Sequence, residues 1–444
     1  MRRVSNHSQQ RLLRGETLDL LRKSSHTEER LKCGVLLMRR KDMGMKYIIV
    51  LGDGMADEPI ESLGGRTPLA FAKTPAMDRL GKMSQIGMVH TIPEGMKPGS
   101  DTANLAVLGY DPSIYYSGRS PLEALSIGVA MKETDIALRC NIVTISEEEA
   151  VFEEKRIIDH SSGEISTEDC AVLLEAVRKE LETEVYRFYT GTSYRHCLVW
   201  DRGKVVELTP PHDVLGQTIG QHLPEDKVLR EMMKRSYNIL VNHPINQERK
   251  RKGLNPANCC WFWGAGTKPK LDSFEEKTGK KGMMVSAVDL LKGIATGAGM
   301  GVCQVEGANG GLHTNYEGKV QAALKALLED GYDFVYIHIE APDEMGHQGS
   351  VEKKVQAIEY LDERVLKPLT ECLDNRQVDY RLLVLPDHPT PIRVRTHTAD
   401  SVPYMLYDST APLAVDWDYN EENAKKSGNY EEQGYRLIGH LLEP

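Results

Sequence analysis

Short apolar runs that end in polar residues recur along the chain and predict buried strands with polar loops behind them. The strongest runs are Lys46–Leu51 (KYIIVL), Asp333–Glu340 (DFVYIHIE) and Arg381–Leu385 (RLLVL). Start signals and spacing predict helices from Pro75, over residues 101–109, and from Val351 to about Cys372. Residues 341–350 are expected to form a loop. Strands that alternate with helices indicate a parallel sheet in an α/β domain.

The middle of the chain has a different pattern. Its predicted elements are strands at Asn141–Ile145 and Cys197–Trp200 and helices at Thr167–Glu182 and Glu225–Tyr237. We therefore expect one α/β domain made from residues 45–119 and 281–444. A smaller α+β domain, residues 120–280, is expected to be inserted between the two parts. The Gly-rich segment 293–318 is expected to form loops near the junction.

Composition narrows the class of protein. A chain of 444 residues with 40% hydrophobic and 27% charged residues is typical of a globular protein of two or three domains. No apolar run reaches the roughly 18–20 residues that span a bilayer, so we expect no membrane partner. A net charge of −10 argues against nucleic acid as a partner. The eight cysteines form no CxxC pair, which favours free thiols and a cytoplasmic location.

The charge is unevenly distributed. Residues 1–44 hold 11 of the 55 basic and five of the 65 acidic residues, so this segment carries +6 and residues 45–444 carry −16. The segment has no apolar region of the secretory type. We interpret it either as a flexible basic tail or as an artefact of start-site assignment with the start at Met45, and we favour the second interpretation.

Carboxylates and imidazoles follow the three strongest strands. They are Asp53 after the first strand, Asp343 and His347 after the second, Asp387 and His388 after the third, and His397 in the next loop. Since ligands gather at the carboxyl ends of parallel strands, these side chains are expected to meet. Each piece alone is more typical of a structural or solvated group. The mixed set suits Mn²⁺ or Zn²⁺ better than Mg²⁺, and its size fits two ions about 4 Å apart.

Ser100 opens the predicted helix over residues 101–109 and supports two interpretations. Serine is a common helix N-cap, which would make it purely structural. A helix N-terminus also stabilises an alkoxide or a phosphate, which would make Ser100 a nucleophile. The local sequence does not separate the two.

The motifs in this order resemble the alkaline phosphatase superfamily, and longer stretches are similar to the archaeal-type, cofactor-independent phosphoglycerate mutases. These stretches are MKYIIVLGDGMADEPI (45–60), LGGRTPLAFAKTPAMDRL (63–80), PGSDTANLAVLGYDP (98–112), YYSGRSPLEALSIGV (115–129), LRCNIVTI (138–145), YRHCLVW (194–200) and PPHDVLG (210–216). The resemblance covers residues 45–444. It implies an alkaline-phosphatase-like parallel-sheet domain with an inserted α+β cap domain.

The resemblance also implies a mechanism. One Mn²⁺ or Zn²⁺ ion would be held by Asp53, Ser100, Asp387 and His388, and the other by Asp343, His347 and His397. Ser100 would take the phosphoryl group of 3-phosphoglycerate, and the resulting phosphoserine would return it to the 2-hydroxyl of glycerate. This reaction of a small phosphorylated metabolite needs no 2,3-bisphosphoglycerate. The sequence does not indicate an oligomeric state.

Substrate recognition is less well defined. Arg119, Arg139 and Arg195 are candidates because guanidinium groups match carboxylate and phosphate, although a structural role is equally open. Lys319 is expected to reach the cleft. Glu164 and Trp263 occupy positions where the family often shows arginine, which would weaken recognition of phosphoglycerate. A homoserine-kinase-like phosphotransferase of the same family and a metal-dependent phosphatase therefore remain alternatives.

Overall fold

Two β-sheets organise the part of the chain that the structure, a computed structural model, describes, residues 44–443. The tail predicted for residues 1–44 lies outside this range, except for Gly44. The described residues form thirteen strands: β1 (Lys46–Gly52), β2 (Ser84–Val89), β3 (Ile136–Ile145), β4 (Ile157–Asp159), β5 (Tyr186–Tyr189), β6 (Arg195–Trp200), β7 (Cys259–Thr267), β8 (Gly282–Val285), β9 (Gly301–Cys303), β10 (Phe334–Ile339), β11 (Tyr380–Leu385), β12 (Val402–Asp408) and β13 (Tyr430–Glu431).

Sixteen α-helices accompany the strands within the described residues. They are α1 (Pro68–Phe71), α2 (Pro75–Gly81), α3 (Ser100–Val107), α4 (Pro112–Tyr115), α5 (Arg119–Ser126), α6 (Thr167–Leu181), α7 (Lys227–Leu240), α8 (Pro244–Arg251), α9 (Phe274–Thr278), α10 (Asp289–Gly297), α11 (Tyr316–Leu328), α12 (Ala341–His347), α13 (Val351–Leu361), α14 (Lys367–Asn375), α15 (Glu421–Lys426) and α16 (Leu437–Leu442). None of these helices is long and apolar enough to cross a membrane.

The larger sheet has eight strands in the order β13-β2-β12-β11-β1-β10-β8-β9 and is mainly parallel. Strand β1 lies between β11 and β10, runs parallel to both and is buried along its whole length. Its register pairs Gly52 with Ile339 and Leu51 with Leu385. The ends of three parallel strands therefore lie side by side. Strand β12 is antiparallel to both of its neighbours, β11 and β2.

The second sheet consists of β3 to β7 and has its own hydrophobic core. Strand β3 is buried at all ten positions and pairs antiparallel with β4, β6 and β7, while β5 pairs with β6. Helices α6 and α7 bury apolar side chains against this sheet; Leu173 and Met233 lie in the same cluster as Trp261. The chain is thus an α/β protein whose mainly parallel central sheet is accompanied by a smaller antiparallel one.

Helices α5 and α10 approach each other closely between the two sheets. A Cβ atom added at Gly293 in α10 would lie 1.8 Å from the carbonyl oxygen of Leu122 in α5. No side chain fits at that distance, so glycine allows the two backbones to touch. Helix α5 also packs against β3 and β7. The contact therefore holds α5, which begins the middle part of the chain, against α10, which precedes β9.

The three strongest predicted strands are confirmed as β1, β10 and β11, but two local predictions are wrong. Residues 341–350 are not a loop, because Ala341–His347 form helix α12. The Gly-rich segment 293–318 is not only loop, because it contains the end of α10 and all of β9. The helix predicted from Val351 continues through a π-helical turn, Asp362–Leu366, to Asn375. The carboxylate of Asp362, at the start of the π turn, accepts hydrogen bonds from the backbone N–H groups of Ala76 and Met77 in the first turn of α2.

Candidate metal centre and nucleophile

The ends of three neighbouring parallel strands bring together the residues singled out from the sequence. Asp53 follows β1, Asp387 and His388 follow β11, and Asp343 lies on α12 directly after β10. The parallel register sets these strand ends at one level. Three short segments that are far apart in the sequence therefore supply side chains to one buried place.

Asp53, Asp343 and His388 form the first group that could hold a metal ion, because their ligand atoms lie within 4.8 Å of one another. Asp387 is also close, with Oδ2 3.4 Å from His388 Nε2. Its two carboxylate oxygens accept hydrogen bonds from the backbone N–H of Gly54 and from Asn104 Nδ2. The sequence interpretation assigned Asp343 only to the ion held by His347 and His397. In the structure Asp343 belongs to both groups of candidate ligands.

Asp343, His347 and His397 form the second such group. His347 Nε2 lies 3.2 Å from Asp343 Oδ2, and His397 Nε2 lies 3.4 Å from Oδ1. His347 Nδ1 is 2.9 Å from the carbonyl oxygen of Arg395, which can only accept, so Nδ1 carries a proton. Nε2 of the neutral ring therefore offers its lone pair to an ion.

Gly54 allows the loop after β1 to pass close to α12. Its φ of +59° lies in the left-handed region, and an added Cβ would be 2.5 Å from Asp343 Oδ1 and from Thr390 Oγ1. A side chain at this position would therefore displace both groups. The Thr390 hydroxyl donates to Asp343 Oδ1 and helps to hold the carboxylate in place.

Ser100 is the first residue of α3, whose N-cap is Gly99, so the interpretation of Ser100 as the N-cap itself is wrong. The Ser100 side chain makes no capping hydrogen bond; its Oγ lies 3.1 Å from His388 Nε2. The serine is half-buried and thus open to a ligand. Its hydroxyl is directed at the first metal-binding group instead of its own helix.

The first group, Asp53, Asp343 and His388, has a charge balance that favours binding of a cation. Burial raises the pKa of Asp53 well above its ordinary value, and the negative charges of Asp387 and Asp343 raise it further. Asp53 Oδ1 is buried and has no hydrogen-bond partner among the described residues. A buried carboxylate oxygen without a partner is costly, and a bound cation would both satisfy it and favour the ionised form.

The second group, Asp343, His347 and His397, has a different balance of charge. Burial acts to raise the pKa of Asp343, but hydrogen bonds from His347 and His397 hold it well below its ordinary value. The hydrogen bond to Asp343 raises the pKa of His347 to about 9. Asp343 thus stays ionised, and a cation could take the place of the proton on His347.

Several buried polar residues support the centre and were not singled out from the sequence. His338 Nε2 lies 3.0 Å from Asp53 Oδ2, and burial lowers the pKa of His338 to about 3. Asn104 Nδ2 donates both to Asp387 Oδ2 and to the carbonyl oxygen of Ser100. The sequence signal for His338 is a polar residue within an otherwise apolar strand, FVYIHI, because a buried histidine needs polar partners.

Arg119, Arg139 and Arg195 line one cavity of about 550 Å³, together with Glu340 and Glu344. The carboxylate of Glu123 also lies there, 2.9 Å from Arg119 Nε and 3.0 Å from Arg139 Nε. The sequence did not point to Glu123. The lining of the cavity thus combines guanidinium groups with two carboxylates, one directly after β10 and one in α12.

Trp263 and Glu164 lie near this cavity. The Arg139 guanidinium is 4.5 Å from the centre of the Trp263 ring, and Trp263 Nε1 donates to Asn141. After burial and Asp343, the charge of Glu164 contributes to raising the pKa of Glu344. The prediction that Lys319 reaches the cleft is wrong: its side chain is fully buried, and Nζ donates to the carbonyl oxygen of His338.

Comparison with known proteins gives a consistent result. The model of the family described as 2,3-bisphosphoglycerate-independent phosphoglycerate mutase matches residues 81–246. An enzyme of this name from Methanosarcina acetivorans is 47% identical over 406 residues, which are 90% of this chain and 100% of the relative. Both the family match and this relative agree with the resemblance noted in the sequence motifs.

Solved structures agree as well. A protein from Pyrococcus horikoshii is 28% identical with a TM-score of 0.73, covering 90% of this chain and 97% of its own. The cofactor-independent phosphoglycerate mutase from Thermoplasma acidophilum is 27% identical with a TM-score of 0.59, covering 90% and 99%. The similarity thus extends over both sheets.

Proposed function

Because the chain belongs to the 2,3-bisphosphoglycerate-independent phosphoglycerate mutase family, we propose that it interconverts 3-phosphoglycerate and 2-phosphoglycerate without a bisphosphoglycerate cofactor. The observation that carries this proposal is the position of Ser100. Its hydroxyl lies 3.1 Å from His388 Nε2, at the edge of a cluster of carboxylates and imidazoles. A hydroxyl at such a place is suited to accept a phosphoryl group.

Two divalent ions fit the donor set. Asp53, Asp387, His388 and Ser100 would hold one, and Asp343, His347 and His397 the other. The partnerless Asp53 Oδ1 supports this assignment, and the mixture of carboxylate and imidazole favours Mn²⁺ or Zn²⁺ over Mg²⁺. When bound, such ions neutralise charge on the phosphoryl oxygens and favour the ionised serine. Asp387 is already oriented by Gly54 N–H and Asn104.

Ser100 is proposed to act as the nucleophile. Its oxygen forms a bond to phosphorus while the bond between phosphorus and O3 of glycerate breaks, which gives a phosphoserine and free glycerate. Glycerate then turns in the closed cleft, and its O2 takes the phosphoryl group back from Ser100. The N–H groups in the first turn of α3 stabilise the negative charge that accumulates beside the serine.

The arginines are proposed to hold the glycerate. Arg119, Arg139 and Arg195 line the cavity of about 550 Å³, and guanidinium forks bind carboxylate and phosphate well. Since free glycerate must not leave and water must not reach the phosphoserine, the cleft must stay closed between the two transfers. We propose that residues 120–280 act as a cap over a catalytic domain made from 45–119 and 281–444.

We also propose that the protein works in a reducing compartment such as the cytoplasm. The seven cysteines of the described residues are all unpaired, and five of them are buried. Burial raises the pKa of Cys259 and Cys170, which leaves these thiols protonated and weakly reactive. These two cysteines therefore act as small apolar side chains in the core of the second sheet.

A second candidate is phosphoryl transfer to a small alcohol that carries an amine, with homoserine as the first compound to test. Glu164 and Glu344 are close enough for their charges to interact, and Glu344 lines the cavity. Two neighbouring carboxylates, one of which lines the cavity, would suit an ammonium group better than a second anion. The three arginines that line the same cavity favour phosphoglycerate.

The decisive experiment is an assay of the purified chain, freed of metal by chelation and reloaded with Mn²⁺. Conversion of 3-phosphoglycerate to 2-phosphoglycerate without added bisphosphoglycerate is the expected result. ATP-dependent phosphorylation of homoserine is measured in parallel. Turnover of homoserine without turnover of phosphoglycerate would contradict the mutase proposal, and release of inorganic phosphate alone would indicate a phosphatase.

A further inference from the structure

A fully buried histidine lies directly behind the proposed metal ligands. His338 belongs to β10, next to β1, and none of its surface is exposed. Its Nε2 is 3.0 Å from Asp53 Oδ2, and its Nδ1 is 3.2 Å from Ser286 Oγ. Ser286 immediately follows β8, the other neighbour of β10. The three side chains thus connect the ends of three adjacent strands.

The carboxylate of Asp53 defines the direction of these hydrogen bonds. An ionised carboxylate can only accept, and Oδ2 lies 3.0 Å from His338 Nε2, so the ring proton of a neutral His338 resides on Nε2 and is donated to Asp53. Nδ1 of the ring then accepts the proton of Ser286 Oγ. The serine oxygen in turn accepts from the backbone N–H of Val288, 3.0 Å away.

The two carboxylate oxygens of Asp53 have different surroundings. Oδ2 accepts the hydrogen bond from His338, whereas Oδ1 has no hydrogen-bond partner among the described residues and lies 3.6 Å from His388 Nε2. One oxygen is thus fixed by the protein, and the other is left for a cation. Rotation of the carboxylate would break the bond to His338.

The positions of Ser286 and His338 are themselves well anchored. Lys319 Nζ donates to the carbonyl oxygen of His338 at a distance of 2.9 Å. Ala287 and Val288, which follow Ser286, line the cavity of about 550 Å³ that contains the three arginines. The chain of hydrogen bonds therefore begins in the wall of the proposed substrate cavity and ends at a proposed metal ligand.

We propose that Ser286 and His338 are positioning residues that orient Asp53 so that its Oδ1 faces the metal centre. The inference rests on the metal centre of the proposed function. Groups that hydrogen-bond to a metal ligand fix its orientation and its basicity, and their loss weakens binding of the metal. Neither residue is among those that line the proposed substrate cavity, so we expect the effect to be on the affinity for the ion.

The test is a titration of the chelator-treated, full-length protein with Mn²⁺, followed by the electron paramagnetic resonance signal of free Mn²⁺. We expect His338→Leu to weaken Mn²⁺ binding by about 10- to 100-fold. His338→Gln should recover most of the affinity, because an amide nitrogen near the position of Nε2 can still donate to Asp53. Ser286→Ala should weaken binding, and Ser286→Thr, which keeps the hydroxyl, should restore it.

A matched control is His196→Leu, which removes another buried strand histidine, in the second sheet. It should leave the Mn²⁺ affinity unchanged. If His338→Leu does not fold, as judged by circular dichroism, the pair Ser286→Ala and Ser286→Thr decides. Wild-type affinity in both His338→Leu and Ser286→Ala would overturn the positioning role alone, whereas a wild-type protein that binds no Mn²⁺ would overturn it together with the metal centre.

Discussion

The guanidinium of Arg139 lies over the indole ring of Trp263, 4.5 Å from the ring centre. Arg139 lies on β3 opposite Trp263 on β7, so the contact is a cross-strand pair. Burial lowers the pKa of Arg139 to about 10, although the neighbouring Glu123 acts to raise it. The aromatic ring and Glu123 together hold the arginine in the wall of the cavity.

Removing the ring should therefore weaken substrate binding. We expect Trp263→Ala to raise KM for 3-phosphoglycerate by about 2- to 30-fold, which corresponds to a cation–π contact at a partly desolvated site. Trp263→Phe keeps an aromatic face and should stay within a few-fold of wild type. Steady-state kinetics measures both. An unchanged KM in Trp263→Ala would show that the contact serves only the packing of the second sheet.

Ser100→Ala should abolish phosphoryl transfer. Because no other hydroxyl would carry the phosphoryl group, we expect kcat to fall by at least about 1,000-fold, as in other enzymes that lose their nucleophile. Mass spectrometry of quenched wild-type enzyme should detect a phosphorylated peptide that contains Ser100. Ser84→Ala removes a buried serine of β2 that bonds only to its own segment, and it should keep activity. A phosphopeptide in Ser100→Ala would contradict the mechanism.

Removal of metal should lower thermal stability as well as activity. Asp53, Asp343 and Asp387 lie close together, and burial together with the charges of Asp387 and Asp343 disfavours the ionised form of Asp53, which bound cations would stabilise. Mn²⁺ at 100 times its Kd should stabilise the protein by about 2.7 kcal/mol, which calorimetry detects as a higher Tm. The shift should disappear in Asp343→Ala, since Asp343 belongs to both metal-binding groups. It should persist in Asp362→Asn, which alters a buried carboxylate elsewhere.

His196 should make the stability of the second sheet depend on pH. It accepts from the backbone N–H of Gly191 through Nδ1 and lies 3.1 Å from Cys170 Sγ through Nε2. Burial lowers its pKa to about 4, below the ordinary 6.5 of the unfolded chain. The unfolded state therefore binds a proton first, so the free energy of unfolding falls between pH 6.5 and 4, by up to about 3 kcal/mol from this group.

The variant His196→Asn isolates this contribution. Denaturant titrations at several pH values should give a shallower dependence for the variant between pH 6.5 and 4. The stability advantage of the wild type should be largest above pH 6.5 and should shrink as the pH falls. Two curves that stay parallel across this range would show that His196 does not cause the effect.

Gly293→Ala should separate helices α5 and α10. The added methyl group would lie 1.8 Å from the backbone oxygen of Leu122, which cannot move without its helix. We expect a loss of about 1–3 kcal/mol in the free energy of unfolding, measured by denaturant titration. Gly439→Ala, in helix α16 with no atom within 4 Å of the new Cβ, should instead stabilise by about 0.5–1 kcal/mol.

Some of the fold followed from local pattern alone. Strands β1, β10 and β11 are continuous apolar runs bounded by polar residues, and such runs are typical of strands buried on both faces of a parallel sheet. Helix α12 was missed because it is short and begins with Ala-Pro-Asp-Glu, a composition that also suits a loop. Strand β7 was missed because its Gly-Ala-Gly end weakens the strand pattern, and only pairing with β3 compensates for this.

The sequence by itself determined which groups are the candidates for the proposed chemistry. Asp53, Ser100, Asp343 and His388 are identifiable because each stands at the end of a strand or at the start of a helix, where local rules apply. Tertiary structure alone decided how these groups are held. Glu123 between two arginines, and His338 between Ser286 and Asp53, depend on contacts between segments far apart in the chain. Side-chain hydrogen bonds of this kind depend on the packing of distant strands, which no local pattern records.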